Sequence, residues 1–389
     1  MDRVTVERLR IKHVKCFDHA EIRFWPNSTL LLGINGRGKS AVLQLLALGL
    51  SGVEKPPVTN DWINIIKSGR EAAFEIYMAA QHENFSLKFL IDEADRVRCV
   101  ENADKYKSVR DDLLILAYGA SRNIVRGEAP GAGHFEEIAS LFGVSTYLKN
   151  IRDSDTYHCL QESFEHIRTL TNRIFSLADK THKIRLADFD TKTFYFKTPT
   201  SPDHFVRLES MSEGFRSVFV WLFDMIVRAH DRGADIRDAR NLSGIVMIDE
   251  IDNHLHPAWQ RRLLPALEEI FPNIQFVYTS HSPFIVQSMK RNHIILLSME
   301  GQGVRASDIR LDGRPYGYEI EKIIELTLGM ENDIPEISDW LSEKLKAFEN
   351  AVETGDKGEV RDLYEEIRAV IPKESSFNEY LEIMCAGIC

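Results

Sequence analysis

The sequence feature that most constrains this chain is a glycine-rich turn between two apolar runs, in the stretch LLLGINGRGKSAVLQLLALGL at residues 30–50. The turn matches the pattern G-x-x-x-x-G-K-[ST] at Gly33, Gly38, Lys39 and Ser40. This pattern is typical of a phosphate-binding loop, because glycines let successive backbone N–H groups face one phosphate and the following helix adds the positive end of its dipole. The alternative is an ordinary glycine-rich turn before a core helix.

The flanking residues favour the phosphate loop. Residues 29–32 are typical of a short buried strand, and residues 41–50 are apolar enough for a buried helix with Gly52 beyond its end. In such a loop Lys39 reaches the β- and γ-phosphates and Ser40 binds Mg²⁺. We therefore expect a nucleotide site that includes Asn35, Gly36, Arg37, Gly38, Lys39 and Ser40.

Composition limits the class of protein. The chain has 389 residues, 44% of them hydrophobic, which is enough for a large core in two lobes or in a domain with appendages. No apolar run reaches membrane-spanning length and the charged start MDRVTVERLRIK is unlike a signal peptide, so we expect a cytoplasmic protein without a membrane partner. The five cysteines lie far apart with no C-x-x-C pair, which argues against a disulfide framework and a zinc site.

A formal net charge of −11 means that any contact with nucleic acid must use a local basic patch. Two groups of basic residues are candidates, although each is more typical of a solvated helix or loop face. They are Arg168, Arg173, Lys180, Lys183 and Arg185, and Arg228, Arg232, Arg237 and Arg240.

The patterns along the chain predict an α/β fold. Residues 3–12 and 20–25 alternate apolar and polar side chains, which is typical of an antiparallel hairpin. Apolar spacings of three and four residues predict a helical insertion over 135–180. Further strands are expected at 72–80, 85–91, 97–100, 113–117, 183–188, 193–196 and 205–208. The strand at 113–117 ends in a loop that can bring Arg122 near phosphates, although pairing with a surface carboxylate explains Arg122 equally well.

Two later strands end in residues that a nucleotide site needs. The apolar run at 244–248 ends in Asp249 and Glu250, which fit a metal ligand and a group that polarises an attacking water. The run at 274–279 is followed by His281, a candidate sensor of the γ-phosphate. Neither His254 nor His256 has a cysteine or a third histidine nearby, so we interpret both as loop residues.

Another motif, MSEGFRS at 211–217, precedes an apolar-striped helix and would by itself be an ordinary helix start. In chain order, however, the phosphate loop, MSEGFRS, VMIDEIDNHLHP and YTSHSP look like the Walker A, signature, Walker B with D-loop, and switch-histidine motifs of ABC-type ATPases of the SMC and RecF kind. More closely, AYGASR followed by GIVMIDEIDNHLHPAWQRRLLPALEEIFPNIQFVYTSHSP resembles the bacterial AAA_21 family. An ordered set of motifs is more specific than any single one.

The resemblance, over roughly residues 1–300, implies an ABC-type P-loop ATPase head, in which a mixed central sheet lies beside an antiparallel sheet. It implies ATP and Mg²⁺ as ligands, with Ser40 and Asp249 at the metal and Glu250 and His281 as catalytic residues. It further implies a homodimer or higher oligomer in which Ser212 and Gly214 cap the γ-phosphate of the opposite protomer. Relatives include ATPase subunits of antiphage systems such as Septu, so a separate HNH-type nuclease partner is expected, and no intrinsic nuclease activity.

The chain departs from the wider group in two places. Residues 118–122 have no Gln where many ABC ATPases have one that contacts the metal, and the chain after His281 has no room for the Toprim nuclease domain of OLD-type relatives. We divide the chain into ATPase lobes at 1–110 and 186–310, a strand, loop and helical insertion at 111–185, and a helical region at 311–389. That last region fits a docking surface and a covering bundle equally well.

Three functions compete. The first is an ATP-driven dimeric switch in a nucleic-acid-directed assembly for defence or repair. The second is a nucleotide-binding scaffold whose ATP state controls protein assembly without nucleic-acid contact. The third is a transporter ATPase, which the N-terminal hairpin and MSEGFRS favour less.

Replacing Lys39 by Ala should abolish nucleotide binding, because it removes the cation that the phosphate loop holds against the β- and γ-phosphates. Calorimetric titration with ATP measures this directly. Unchanged affinity in the variant would rule out the predicted site.

Overall fold

A computed structural model describes two compact units, Met1–Leu328 and Gly329–Cys389. The residues described are 3–55, 71–80, 83–92, 96–110, 113–122, 133–144, 148–149, 151, 154–179, 183–289, 293–300, 303–309, 315, 323, 339–371, 381 and 384.

Twelve of the fourteen strands described in the first unit lie at predicted segments, and those at Ile294–Glu300 and Gly303–Asp308 were not predicted. In chain order β1 to β14 are Thr5–Val14, Phe17–Arg23, Ser28–Leu32, Ala72–Ala79, Asn84–Ile91, Val97–Glu101, Leu114–Tyr118, Arg185–Phe189, Phe194–Thr198, Ser201–Arg207, Gly244–Ile248, Ile274–Thr279, Ile294–Glu300 and Gly303–Asp308.

Helices of the first unit occupy the segments between these strands. In chain order α1 to α6 are Lys39–Ser51, Ala103–Arg110, Ser154–Ala178, Glu213–Asp231, Pro257–Ile270 and Pro283–Ser288.

A five-stranded antiparallel sheet begins with the predicted hairpin. Its order is β2-β1-β4-β5-β6, so the hairpin and the three strands predicted after the first helix form one sheet. Val14 pairs with Phe17 at the turn of the hairpin. Alternate residues of β4 and β5 are buried, which is the pattern of a sheet with one covered face.

The central sheet has the order β14-β13-β3-β12-β11-β7. Strands β13, β3, β12, β11 and β7 run parallel, and only the edge strand β14 is antiparallel. All residues of β3, β7, β11 and β12 are buried, as expected for parallel strands covered on both faces. The sheet is therefore mixed, as predicted.

Alternation along these buried strands divides the interior into two cores. Val246 and Ile248 pack into a core with residues of α3, α4 and α5, whereas Ile245 and Met247 pack into a core with α1 and the antiparallel sheet. Because successive side chains of a strand point to opposite faces, one continuous apolar run supplies both cores.

The predicted helical insertion begins with short helical turns. Residues 133–137 and 139–142 form two short 3₁₀ turns, not an α-helix, and Gly143 ends the second one in the left-handed conformation. The long helix α3 is confirmed over Ser154–Ala178. The glycine stops a helix here because it adopts a φ of 82°, which other residues rarely adopt.

A cluster of aromatic rings joins α4 to the sheet of β8, β9 and β10. Phe219 on α4 lies 4.9 Å from Phe194 and 5.1 Å from Phe196, measured between ring centroids. Both contacts are edge-to-face, the arrangement that aromatic rings prefer. These rings hold the helix that begins at the MSEGFRS motif.

The second unit contains α7, Asp339–Thr354, and α8, Lys357–Arg368. Leu341, Leu345 and Phe348 of the predicted helical region lie in its core with residues of α8. Asp356 begins α8, and its carboxylate accepts hydrogen bonds from the N–H groups of Gly358 and Glu359. Ile320, Ile324 and Leu326 of the predicted tail lie outside the described residues. Among the described helices of both units, none combines the length and apolar character needed to cross a bilayer.

Phe219→Ala should lower the free energy of unfolding by about 3–5 kcal/mol, because the ring is only 1% exposed and its loss leaves a cavity. Phe205→Ala is the matched control, since that ring is 54% exposed and should matter little. Urea unfolding measures both. Equal effects would contradict the proposed role of the aromatic cluster.

Candidate functional site

Four loops meet at one edge of the central sheet because the strands before them run parallel. The phosphate loop follows β3, Asp249 and Glu250 follow β11, His281 follows β12, and Arg122 follows β7. Ligands of open α/β sheets bind at this carboxyl edge. The topology thus assembles residues that are up to 248 positions apart in sequence (281 − 33 = 248).

Gly38 forms the tight end of the phosphate loop. Its φ of 82° lies in the left-handed region, and a β-carbon at this position would lie 2.5 Å from the Cys16 sulfur and 2.7 Å from the Phe17 ring. Only glycine fits there without displacing the β1–β2 hairpin. Helix α1 begins at the next residue, so its N-terminus faces the loop.

Lys39 lies inside the phosphate loop. The ammonium donates to the carbonyl of Gly33 at 2.7 Å and to that of Ile34 at 3.3 Å. Burial lowers the pKa of Lys39, and Asp249, Glu250 and Asp252 oppose that shift. The loop carbonyls hold the ammonium in place, and a phosphate anion would compensate for the water that it has lost.

Asp249 makes hydrogen bonds to several segments of the site. It is 7% exposed, and its Oδ2 accepts a 2.7 Å hydrogen bond from the Ser40 hydroxyl, while its Oδ1 accepts a 2.5 Å bond from the hydroxyl of Thr279. Its backbone N–H donates to the carbonyl of Tyr118 at 2.8 Å. Asp249 itself follows β11, and it is hydrogen-bonded to the three other segments at this edge: the phosphate loop, the end of β12 and the end of β7.

Glu250 is fixed through its backbone while its side chain stays half-buried. Its N–H donates to the Thr279 hydroxyl at 2.7 Å, and its carbonyl accepts from Arg122 at 2.6 Å. Its φ of 47° is in the left-handed region, which is rare for a residue with a side chain. Such a conformation persists only where surrounding contacts impose it.

His281 faces the same charges. Burial and the Lys39 ammonium lower the pKa of His281, so the ring is neutral at neutral pH, while Asp252, Glu250 and Asp249 act in the opposite direction. Its Nε2 is buried and has no hydrogen-bond partner among the described residues. A buried ring nitrogen without a partner fits a ligand that supplies one.

Arg122 is a buried clamp on the turn after β11. The guanidinium, 3% exposed, donates to the carbonyls of Asp249 and Glu250, to that of Gly119 at 2.7 Å and, at 3.5 Å, to the Ser217 hydroxyl on α4. Burial lowers the pKa of Arg122 to about 10, so it remains charged at neutral pH. The side chain pairs with backbone carbonyls, not with a surface carboxylate.

Ser212 and Gly214 lie at the start of α4. Ser212 is exposed, and its hydroxyl makes no capping hydrogen bond, so it is available to a ligand. Gly214 is buried, and a β-carbon there would lie 2.1 Å from the carbonyl oxygen of His254. Among the described residues, the hydrogen bonds that join the phosphate loop, β11 and β12 include neither of them.

The loop after Glu250 fills the space between α4 and α5. His256 begins α5, and its Nδ1 accepts from the N–H of Ala258 at 3.2 Å, while the His254 ring lies 3.5 Å from a carboxylate oxygen of Glu213. The interpretation of both histidines as loop residues therefore agrees with the structure. A hollow of about 240 Å³ lies beside this loop, lined by Ala120, Ser121, Arg122, Glu213, Ser217, Asn253 and His254.

Thr279 and Asp252 were missed by the sequence analysis. Thr279 is the polar last residue of β12, a largely apolar strand beside β11. A polar residue at that end of the strand is the feature that could have identified it from the sequence. Asp252 has a buried oxygen, Oδ1, without a partner among the described residues, and its charge acts on Lys39, Arg122 and His281. No local pattern distinguishes Asp252 from the other acids of its loop.

Together these groups could hold a phosphate chain and a divalent metal. Ligands on adjacent corners of an octahedron at about 2.1 Å from a magnesium ion lie about 3 Å apart. The 2.7 Å separation of the Ser40 and Asp249 oxygens is close to that distance. The glycine turn, the lysine and the helix N-terminus fit the phosphates.

Comparisons with known proteins show what the chain is similar to. The model of the AAA_21 family, described as "AAA domain, putative AbiEii toxin, Type IV TA system", matches residues 28–287. The chain is 25% identical to the Septu protein PtuA of Bacillus mycoides (strain KBAB4) in an alignment of 346 positions that covers 86% of this chain and 46% of that protein. It is 21% identical to the Septu protein PtuA of Bacillus thuringiensis in an alignment of 407 positions, gaps included, that covers 98% of each. The chain thus spans about half of the first relative and nearly all of the second.

Among solved structures, the chain resembles an Smc head bound to the C-winged helix domain of ScpA. The TM-score is 0.53 at 16% identity, over 79% of this chain and 98% of that one. At this identity the likeness concerns the fold alone. These findings confirm the resemblance and the fold class inferred from the sequence.

Arg122→Met should lower the free energy of unfolding by about 2–6 kcal/mol, because it leaves the buried carbonyls of Asp249 and Gly119 without a donor, at about 1–3 kcal/mol each. Ser217→Ala is the control, since it removes only the 3.5 Å contact. Chemical denaturation measures both variants. Wild-type stability of Arg122→Met would disprove the clamp.

Proposed function

Since the chain belongs to the AAA_21 family, we propose that it is an ATPase of antiphage defence, a dimeric switch that binds and hydrolyses ATP beside a separate nuclease. The observation that carries this proposal is the bonding of Asp249 to Ser40 and Thr279 next to the phosphate loop. It joins the Walker A and Walker B residues in the arrangement that Mg²⁺-dependent hydrolysis requires.

Each residue of the site has a part in this reaction. Lys39 and the backbone of 35–40 would bind the phosphates, and Ser40 and Asp249 would hold Mg²⁺, which would offset negative charge on the phosphates. The carboxylate of Glu250 orients the attacking water and accepts its proton. His281, neutral and with an unpaired ring nitrogen, hydrogen-bonds the γ-phosphate. Arg122 keeps the Glu250 backbone in position and does not touch the reacting atoms.

A second copy of the chain completes the site in this proposal. The exposed hydroxyl of Ser212 stands at a helix N-terminus, the kind of place where anions bind. Gly214 lets this helix start lie against the loop at His254. Each γ-phosphate would thus contact the phosphate loop of one protomer and the signature residues of the other, so ATP favours the dimer and hydrolysis releases it.

A nuclease partner is the second part of the proposal. It rests on the similarity to Septu PtuA proteins and on the chemistry of this chain. Among the described residues, carboxylates lie beside a hydroxyl that could bind a metal at the nucleotide site. We therefore expect nuclease activity to come from another chain. The HNH class of the partner follows from the resemblance to Septu ATPases.

The basic residues predicted to contact nucleic acid are largely paired. Arg228 is buried against Asp224, Arg232 pairs with Glu137, and the exposed Arg237 and Arg240 pair with Asp235 and Asp238. Arg168 pairs with Glu165 at 2.5 Å, Arg173, Lys183 and Arg185 are exposed, and Lys180 lies outside the described residues. The group formed by Arg228, Arg232, Arg237 and Arg240 is therefore not a patch of unpaired cations.

The outer face of the five-stranded sheet is a better surface for nucleic acid. It carries Arg8, Arg10, Lys12, Arg23 and Lys88 around the carboxylates of Glu21, Glu75 and Glu101. Glu21 pairs with all three arginines and Glu101 with Lys88, so five cations share three carboxylates. Arg8 stacks 3.8 Å from the centre of the Tyr77 ring, and a groove of about 430 Å³ follows β1 between Arg10, Lys12 and Lys88. More cations than anions on one flat face favour contact with a phosphate backbone.

Glu250→Gln should trap the ATP-bound dimer, because the amide keeps the shape of the side chain but accepts no proton from water. Light scattering after size exclusion with ATP and Mg²⁺ measures the dimer. Glu269→Gln, at an exposed position of α5, is the control. A variant that stays monomeric with ATP bound would contradict the ATP-dependent dimer.

Mixing two inactive chains tests whether the site forms in trans. Lys39→Ala and Ser212→Arg should each be inactive, and a mixed dimer has one intact composite site and one doubly damaged site. We expect ATPase activity to return on mixing, to at most about half of the wild-type level, because one of two sites is intact. A wild-type monomer that hydrolyses ATP at full rate, independent of concentration, would exclude the trans arrangement.

Lys12→Glu combined with Arg23→Glu should weaken binding of a labelled DNA duplex by about tenfold or more at low salt and reduce the salt dependence. Lys192→Glu with Lys197→Glu makes the same charge change on the three-stranded sheet and is the control. Equal losses of DNA affinity in the two double variants would mean that net charge determines binding, not this face of the sheet. Absence of wild-type binding to DNA and RNA would favour the alternative, a protein-assembly scaffold.

A further inference from the structure

Helices α3 and α4 bring a thiol, an imidazole and a carboxylate together outside the nucleotide site. Cys159 lies on α3, whereas His230 and Asp231 are the last residues of α4. One ligating atom from each lies within 4.8 Å of the others. The proposed ATPase reaction uses none of the three.

The ring of His230 is fixed at both nitrogens. Its Nδ1 lies 3.2 Å from the sulfur of Cys159, and its Nε2 lies 3.1 Å from the hydroxyl of Ser163, which is on the same face of α3 because it is four residues further on. Burial raises the pKa of the Cys159 thiol to about 11, so the thiol is protonated and donates to Nδ1. The other nitrogen, Nε2, then carries the proton and donates to Ser163.

Asp231 is fixed in a similar way. Its Oδ2 forms a 2.8 Å ion pair with the ammonium of Lys149, and its Oδ1 lies 4.0 Å from Nδ1 of His230. One carboxylate oxygen is thus held by a neighbour and the other faces the imidazole. Metal-binding histidines and carboxylates are held by outer hydrogen bonds of this kind.

We propose that Cys159, His230 and Asp231 form a zinc site that joins α3 to the end of α4. Zinc bonds of about 2.3 Å to sulfur and about 2.0–2.2 Å to nitrogen and oxygen, at tetrahedral angles, place the sulfur and nitrogen about 3.6 Å apart and the nitrogen and oxygen about 3.4 Å apart. The observed separations are 3.2 and 4.0 Å. The sulfur and the carboxylate oxygen, about 3.6 Å apart in such a zinc site, lie within 4.8 Å of each other, so side-chain shifts of up to about 1 Å convert one arrangement into the other.

The donor set selects the metal. A thiolate and an imidazole favour Zn²⁺ over the Mg²⁺ that the nucleotide site takes, since Mg²⁺ prefers oxygen ligands. On binding, Zn²⁺ replaces the thiol proton of Cys159, which leaves to solvent. Because the side chains of His230 and Asp231 are 27% and 35% exposed, a water completes the fourth position.

This site has a structural consequence. Ser212 directly precedes helix α4, and α3 belongs to the helical insertion. A bond from Cys159 to the last turn of α4 fixes the insertion to the helix that carries the signature residues. The proposal stands on these contacts alone and does not depend on the ATPase mechanism.

Cobalt titration of the metal-stripped full chain, without nucleotide, tests the site. Co²⁺ replaces Zn²⁺ in tetrahedral sites and gives a sulfur-to-cobalt charge-transfer absorption when a thiolate is bound. We expect one equivalent of Co²⁺ with this band, displaced by Zn²⁺, and a zinc-dependent rise in melting temperature.

Cys159→Ser should abolish the band, and His230→Gln should weaken cobalt affinity by at least about tenfold. Ser163→Ala, which touches only the outer nitrogen of the ring, should weaken zinc affinity by about 10–100-fold with the band retained. Cys99→Ser and His158→Gln are matched controls, since Cys99 is another free cysteine and His158 is exposed on the same helix.

Two results would overturn the proposal. One is the absence of the charge-transfer band in the wild-type chain, which requires no variant to fold. The other is a band that persists in Cys159→Ser or is lost equally in Cys99→Ser. If Cys159→Ser does not fold, unchanged cobalt affinity in both His230→Gln and Ser163→Ala has the same meaning.

Discussion

The carboxylate of Asp249 at the end of β11 is the contact on which the site depends. Its two oxygens accept hydrogen bonds from hydroxyls that follow β3 and end β12, and its N–H bonds to the last residue of β7. Buried polar groups need partners, and the neighbouring parallel strands supply them at one edge. The same hydrogen bonds therefore align the strand ends and bring the metal-binding oxygens close together.

Arg122 and Asp224 are the two buried charges that join α4 to this edge. Arg122 links the turn after β11 to Ser217, while Asp224 accepts from the Tyr118 hydroxyl at 2.7 Å and from Arg228 at 3.0 Å. Removing one partner of a buried charge is costly because the other is left desolvated. A displacement of α4 would break contacts at both points.

Much of this arrangement follows from local sequence patterns. The phosphate loop, the hairpin before it, the apolar strands and the carboxylates after β11 were predicted because glycine spacing, alternation and continuous apolar runs report on the backbone directly. The first part of the insertion was predicted as helical, without a helix type, and it consists of 3₁₀ turns. Its apolar spacing suits both an α-helix and the 3₁₀ turns that are present, and Gly143 ends the second turn.

The sequence by itself determined the α/β class, the order of elements and the loops that carry the chemistry, because each is encoded within a few neighbouring residues. Only the tertiary structure decided which residues these side chains contact. The sequence left Arg122 equally compatible with a phosphate and with a surface carboxylate, yet it binds the backbone of Asp249 and Glu250, and Cys159 meets His230 71 residues away. Contacts over such separations depend on strand order and helix packing, which no local pattern records.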